Sequence, residues 1–412
     1  KNPVNVLSKD DDETYDIREA HGFGMSRIDG RLYLALQASF GIQIWDFTDP
    51  LLPTLVSYPK LPGVIDSDYG TGAWWLSFQG NRIYVGGSSN GLYILDTTDP
   101  KNPVLVDRGS SPNPIPTGNL GSFKTGPVMA LGNLLAITGM DQPGYTTVDI
   151  SDPDNPALLA TRKDVSSVYS GILNGNWLLG AGATANSVAV YDVSDPLKIQ
   201  QVGEVKGVGT RGGYLSFQDG FAHIGASQNY AKVDLRTPGS FSITGKATSN
   251  VDGRDEDFGT VLGNLAFISD DHGNGSFIVP HQAGKDLEPP RVNRVIPEHG
   301  AVAQKTTSRI GVSFTDQIDF ATVSSATIGV RVAGTTTPLE GSYSYFSNLV
   351  NFSPKLPLAP DTTYEVVVDT GGVKDLVGNA ITESVLSLFS TGSVIDNPNC
   401  ELGPKARIVA GS

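Results

Sequence analysis

One phrase recurs five times along the chain. It reads Ile-Trp-Asp-Phe-Thr-Asp-Pro at 44–50, Ile-Leu-Asp-Thr-Thr-Asp-Pro at 94–100 and Val-Asp-Ile-Ser-Asp-Pro at 148–153. It returns as Tyr-Asp-Val-Ser-Asp-Pro at 191–196 and, more altered, as Val-Asp-Leu-Arg-Thr-Pro at 233–238. The marker residues Asp46, Asp96, Asp149, Asp192 and Asp234 stand 50, 53, 43 and 42 residues apart. Self-similarity at such a period means stacked supersecondary units, none of which buries its apolar face alone.

A second phrase precedes each marker and has six copies. Asp29-Gly30, Gly80-Asn81, Gly132-Asn133, Gly175-Asn176, Asp219-Gly220 and Gly263-Asn264 each lie between apolar runs. Gly and Asn tolerate positive φ, so these dipeptides set tight hairpin turns. The second unit then reads as four short strands, at Ala73–Phe78, Ile83–Gly86, Leu92–Asp96 and Val104–Asp107. Four antiparallel strands per unit of this length is the pattern of a propeller blade. In the sixth unit Pro280 stands where the marker Asp would be. Asp caps turn amides and Pro fixes φ at a corner, so the repeated aspartates are expected to serve structure rather than calcium or catalysis.

Lys-Asn-Pro-Val-Asn-Val at 1–6 repeats the outer-strand sequence Lys-Asn-Pro-Val-Leu-Val at 101–106, with no blade ahead of it. The simplest arrangement pairs residues 3–8 onto the last blade, closing the ring and removing its free edges. The alternative is a further blade cut away before Lys1. From Glu288-Pro289-Pro290 onward the phrases stop. Short alternating strands at 310–314, 328–332, 341–345, 350–352, 364–368 and 386–389 suit a small β-sandwich. The expected fold is therefore all-β: a six-bladed β-propeller over 1–286, a sandwich over 287–392 and a linker or tail over 393–412.

The net charge of −14 excludes a phosphate-backbone partner, which needs a cationic footprint. No apolar run approaches 18 residues, so direct membrane insertion is not expected. Cys400 is the lone cysteine, which rules out an intramolecular disulfide. Lys1 has no Met before it, so the chain is expected to be a processed product, its signal peptide removed, or a trimmed segment.

The repeated Asp-Ser/Thr-Asp-Pro phrase resembles the LVIVD-repeat family of secreted and surface proteins, mostly bacterial, over about residues 1–285. The runs Val295–Gly300, Val312–Asp319, Phe352–Pro354, Leu358–Tyr364, Gly371–Asn379 and Phe389–Gly392 resemble a bacterial Ig-like domain of the S-layer and surface-protein type. Both resemblances imply an extracellular or cell-surface setting, and neither implies one reaction.

Propeller ligands bind at a channel mouth, where the inner strands begin. Those starts are expected near His21, Thr71, Lys124, Tyr169, Arg211 and Asp257. The candidate mouth set is His21, Lys124, Arg211, Asp255, Glu256 and Asp257, with Trp74 and Trp75. The charged members would bind an ion or polar ligand or act as acid and base, against the plainer reading of a solvated rim. One ring of the Trp74-Trp75 pair is expected in the core. Calcium is the ion that Asp270, Asp271 and Asn274, or the run Asp10–Glu13, would take, but neither run has the spaced ligand pattern and no cofactor is expected.

The leading functional expectation is a non-enzymatic binding or scaffold module of a secreted or cell-surface bacterial protein. It would present a propeller face to a protein or glycan, or to other domains of a larger parent chain, with the sandwich as spacer. One alternative is a channel-mouth hydrolase or lyase using His21 with Asp255, Glu256 or Asp257. The other is a structural module of a large secreted polymer or toxin-type assembly.

Overall fold

A computed structural model describes residues 21–65, 70–163, 166–182, 186–209, 213–227, 229–248, 258–269 and 276–396. Six antiparallel sheets follow one another in chain order as the blades of a β-propeller. Their innermost strands are Phe23–Ile28, Trp75–Gln79, Thr125–Leu131, Val168–Asn174, Leu215–Gln218 and Phe258–Leu262. Blades one to five have four strands each, and three strands of blade six are described. The expected closing strand, residues 3–8, lies outside the described residues.

Burial grades outward as a ring demands. Thr125–Leu131 of blade three is buried at every residue. Ser242–Thr248, outermost in blade five, alternates exposed and half-buried residues. Apolar side chains of adjoining blades interdigitate: one cluster joins Leu131, Ile172, Val190, Phe217 and Val233 across blades three to five.

The repeated phrases have repeated local causes. In each marker an Asp Oδ1 accepts the backbone N–H two residues on: Thr48 on Asp46 (3.0 Å), Thr98 on Asp96 (2.9 Å), Ser151 on Asp149 (2.8 Å), Ser194 on Asp192 (2.8 Å) and Arg236 on Asp234 (3.0 Å). Asp49, Asp99, Asp152 and Asp195 do the same one turn later. These Asx turns hold the corner that Pro begins. Arg82 is fully buried and ties two blades together. It donates to Asp154 of blade three at 2.7 Å and lies 3.0 Å from Asp96 of its own sheet.

Residues 292–391 form a sandwich of two four-stranded layers. One orders Val292–Ile296, Ile310–Phe314, Leu349–Pro354 and Gly341–Phe346; the other orders Ala301–Gln304, Val385–Thr391, Thr363–Val368 and Ile328–Val332. Phe314, Val330, Val350, Phe352, Tyr364 and Phe389 fill the space between them. The sandwich is joined to the propeller by strand pairing. Its first layer continues into blade one, where Met25, Ser26 and Arg27 pair antiparallel with Tyr345, Ser344 and Tyr343.

The rest of that layer sits on the glycine turns. All six turn glycines have positive φ, from 55° to 78°. Gly80 N donates to Ser344 Oγ (3.0 Å), Gly132 N to Asn351 Oδ1 (2.7 Å) and Gly175 N to Ser313 Oγ (2.9 Å). Arg309, fully buried, donates to Gln79 Oε1 at 2.9 Å, and Arg294 reaches the carbonyls of Gly175, Val193 and Ser194. Ile296 and Leu349 join the core cluster of blades three to five.

Two outcomes test this description. Arg82→Met removes the cation beside the buried Asp154 and the half-buried Asp96 carboxylates, so equilibrium denaturation is expected to show a loss of about 3–5 kcal/mol. A Cβ on Gly132 would stand 2.8 Å from Ile296, at a φ of +55. Gly132→Ala is therefore expected to cost about 1–3 kcal/mol and to speed proteolysis between residues 281 and 291.

Candidate functional site

The inner strands converge on the axis, and the side chains they bring there are mostly rings. His21, 5% exposed, stacks on Trp74 with ring centroids 4.0 Å apart, and faces Tyr214 at 5.8 Å and Phe258 at 6.3 Å. Trp75 stacks on Tyr214 at 5.6 Å, and Tyr214 on Phe258 at 4.2 Å. Tyr169 meets Trp74 and Tyr214 edge-on. Blades one, two, four, five and six thus contribute one connected aromatic group of stacked and edge-on rings.

The sandwich completes this group from below. Phe346, at the tip of its hairpin, packs edge-on against Trp75 at 5.7 Å and against Phe23 at 5.6 Å. The local sequence makes the approach feasible. A Cβ on Gly22 would lie 2.6 Å from the Trp75 ring, and one on Gly24 would lie 2.8 Å from Phe78 N. The Gly-Phe-Gly at 22–24 is there for close packing.

Of the expected mouth set, His21, Trp74 and Trp75 are brought together. Both tryptophans are buried, at 3% and 5% exposure, so neither faces solvent. Gln37 Nε2 lies 2.9 Å from His21 Nδ1. Lys124 enters through its backbone: its N–H donates to Gln142 Oε1 at 2.9 Å and its carbonyl accepts from Met140 at 3.0 Å. Arg211, Asp255, Glu256 and Asp257 lie outside the described residues, as do Asp270, Asp271 and Asn274.

Two polar groups were not anticipated from sequence. His223, enclosed between blades five and six, is 2.7 Å from Tyr230 Oη and edge-on to His281 at 4.6 Å. Burial, with His281 and Lys232 nearby, holds it well below the ordinary imidazole range, so it is neutral. The second is acidic. Asp219, Asp286 and Asp316, widely separated in the chain, place carboxylate oxygens within 4.8 Å of one another where blade five meets the sandwich. Each belonged to an unremarkable turn or connection, and only the docking of the two domains assembles them.

Comparison with known proteins agrees with this architecture. Residues 286–391 match the family model of a bacterial Ig-like domain, and residues 71–109, which span blade two, match that of the LVIVD repeat. The chain carries both modules. No curated protein matches it in sequence. Among solved structures, a candidate 6-phosphogluconolactonase from Bacteroides fragilis is 12% identical, with a TM-score of 0.50 over 65% of this chain and 81% of that one. BamB from Moraxella catarrhalis is 11% identical, with a TM-score of 0.41 over 81% of this chain and 82% of that one. The first likeness extends to the propeller fold and not to an activity.

Phe346 supplies the check on the axial packing. Phe346→Ala removes the ring that bridges the two domains and is expected to cost about 3–5 kcal/mol. Near-ultraviolet circular dichroism should weaken and tryptophan emission shift to the red as Trp75 is exposed; unchanged spectra would contradict the described contact.

Proposed function

We propose that the chain is a non-enzymatic recognition module of a secreted or cell-surface bacterial protein. Its propeller would present to a protein or glycan the face on which the inner strands begin. The observation that carries this reading is the coverage of the opposite face: the Ig-like domain sits on the glycine turns and its Phe346 tip meets the axial rings.

Three further observations support it. Among the described residues the axis holds stacked rings around His21 rather than a nucleophile paired with a base. Loops on a rigid β-scaffold lose little ordering entropy on binding. Bacterial Ig-like domains are typical of surface proteins, and no helix among the described residues is long and apolar enough to cross a membrane.

The test is a glycan array and a surface-protein binding screen with the full chain, run beside hydrolysis assays on lactone, ester and glycoside substrates. Saturable binding is expected, weakened about tenfold by Lys124→Glu, just ahead of the blade-three inner strand, and unaffected by Lys355→Glu on the Ig-like domain. Catalytic turnover lost in His21→Ala would overturn the proposal in favour of a hydrolase or lyase.

A further inference from the structure

The seam between blade five and the Ig-like domain collects carboxylates with too few partners. Asp219 occupies the first position of the blade-five turn, at φ +54. Asp286 lies in the connection between the domains, and Asp316 follows the strand Ile310–Phe314. Asp316 and Asp286 are only 4% and 7% exposed. Asp286 accepts from Gln218 Nε2 at 3.0 Å and from the Glu288 N–H at 3.1 Å. Asp316 Oδ1 accepts from Gln317 N at 2.9 Å, whereas its buried Oδ2 has no N–H or hydroxyl donor and the carboxyl's other polar neighbour is Asp219, itself a carboxyl. Asp286, Asp316 and Asp375 border a void of about 10 Å³, the space one water-sized sphere takes.

Among the described residues no cation forms an ion pair with Asp219, Asp286 or Asp316 at 4.0 Å or less. Asp375, beside the group, accepts from the backbone N–H groups of Val377, Gly378 and Asn379 and from Asn379 Nδ2. Glu288 adds a further negative charge nearby, and Lys232 is the cation that senses Asp219 and Asp286. Carboxylates this close repel strongly where water is excluded.

We propose that Asp219, Asp286 and Asp316 hold one calcium ion, which pins the Ig-like domain to blade five. Calcium takes oxygen ligands at 2.3–2.6 Å, so two oxygens on one ion stand no more than about 5 Å apart, and the three carboxylates already meet that limit. The donors are hard oxygens with no imidazole or thiolate among them, which favours calcium over zinc. The proposal concerns the joint between domains and does not depend on what the open face binds.

Burial raises Asp219 and Asp316 above the carboxylate range and Asp286 up to about 6, with neighbouring carboxylates adding to the rise.

The experiment is calorimetric titration and thermal unfolding of the full chain, freed of metal by chelator, with calcium chloride alone. One ion per chain is expected, with sub-millimolar affinity at pH 7.5 and a rise in Tm of about 3 °C or more at several millimolar calcium. Asp316→Asn should abolish both binding and shift while melting no lower than the metal-free parent, because it relieves the repulsion. Asp286→Asn gives the same reading independently. The proposal is overturned if calcium produces no shift at pH 7.5, which would leave a shared proton as the resolution. It is equally overturned if stoichiometric binding survives both substitutions, which would assign the ion to another acidic loop such as Asp270-Asp271.

Discussion

The structure depends on backbone groups at the glycine turns being satisfied by another domain. A hairpin turn at positive φ leaves its N–H outside the strand ladder, and in a lone propeller that donor would face water. Here Gly80, Gly132 and Gly175 instead give theirs to Ser344, Asn351 and Ser313. Asn351 also returns a hydrogen bond to the Ala130 carbonyl at 2.9 Å. Buried polar groups are costly when unpaired, so these bonds fix which way the Ig-like domain sits. Apolar contact from Ile296 and Leu349 adds stability without that directionality.

The same constraint explains why glycine recurs at positions the blade itself would accept as Asn or Asp. A side chain at Gly80 would collide with Ser353, one at Gly132 with Ile296, and one at Gly175 with Asn293. Gly30, whose surroundings are open, needs glycine only for its φ of +78. One residue type thus serves two requirements, a tight turn and a flat seat.

Much of the fold was legible in the sequence because it is written locally. The repeated marker phrases lie on the third strand of blades one to five, the glycine turns mark the first hairpin, and period-two alternation marks the sandwich strands. Two sandwich strands, Val292–Ile296 and Ala301–Gln304, were not anticipated: the first is interrupted by Asn293 and Arg294, which face the propeller. The docking itself leaves no local trace. Ser344, Asn348 and Asn351 read as ordinary polar residues of an exposed sheet face until blades two to four are placed against them. The candidate site was half legible for the same reason. The expected inner-strand starts put His21 near the axis, and Trp74 and Trp75 were candidates for the mouth, but the rings of Tyr214 and Phe258 that enclose them carried no local signal. The Asp219–Asp286–Asp316 group could not be found by spacing, since its members meet only across the joint.

Strand pairing between Met25–Arg27 and Tyr343–Tyr345 has a consequence for biosynthesis. The first blade's inner edge and the strand that covers it are 320 residues apart at Met25 and Tyr345. At about 5–20 residues per second, a ribosome needs roughly a quarter of a minute to a minute to cover that interval. Throughout it the nascent chain carries an unsatisfied strand edge, the kind of surface that recruits wrong partners. A translation pause or truncation before residue 341 would leave that edge uncovered, even with all six blades already made.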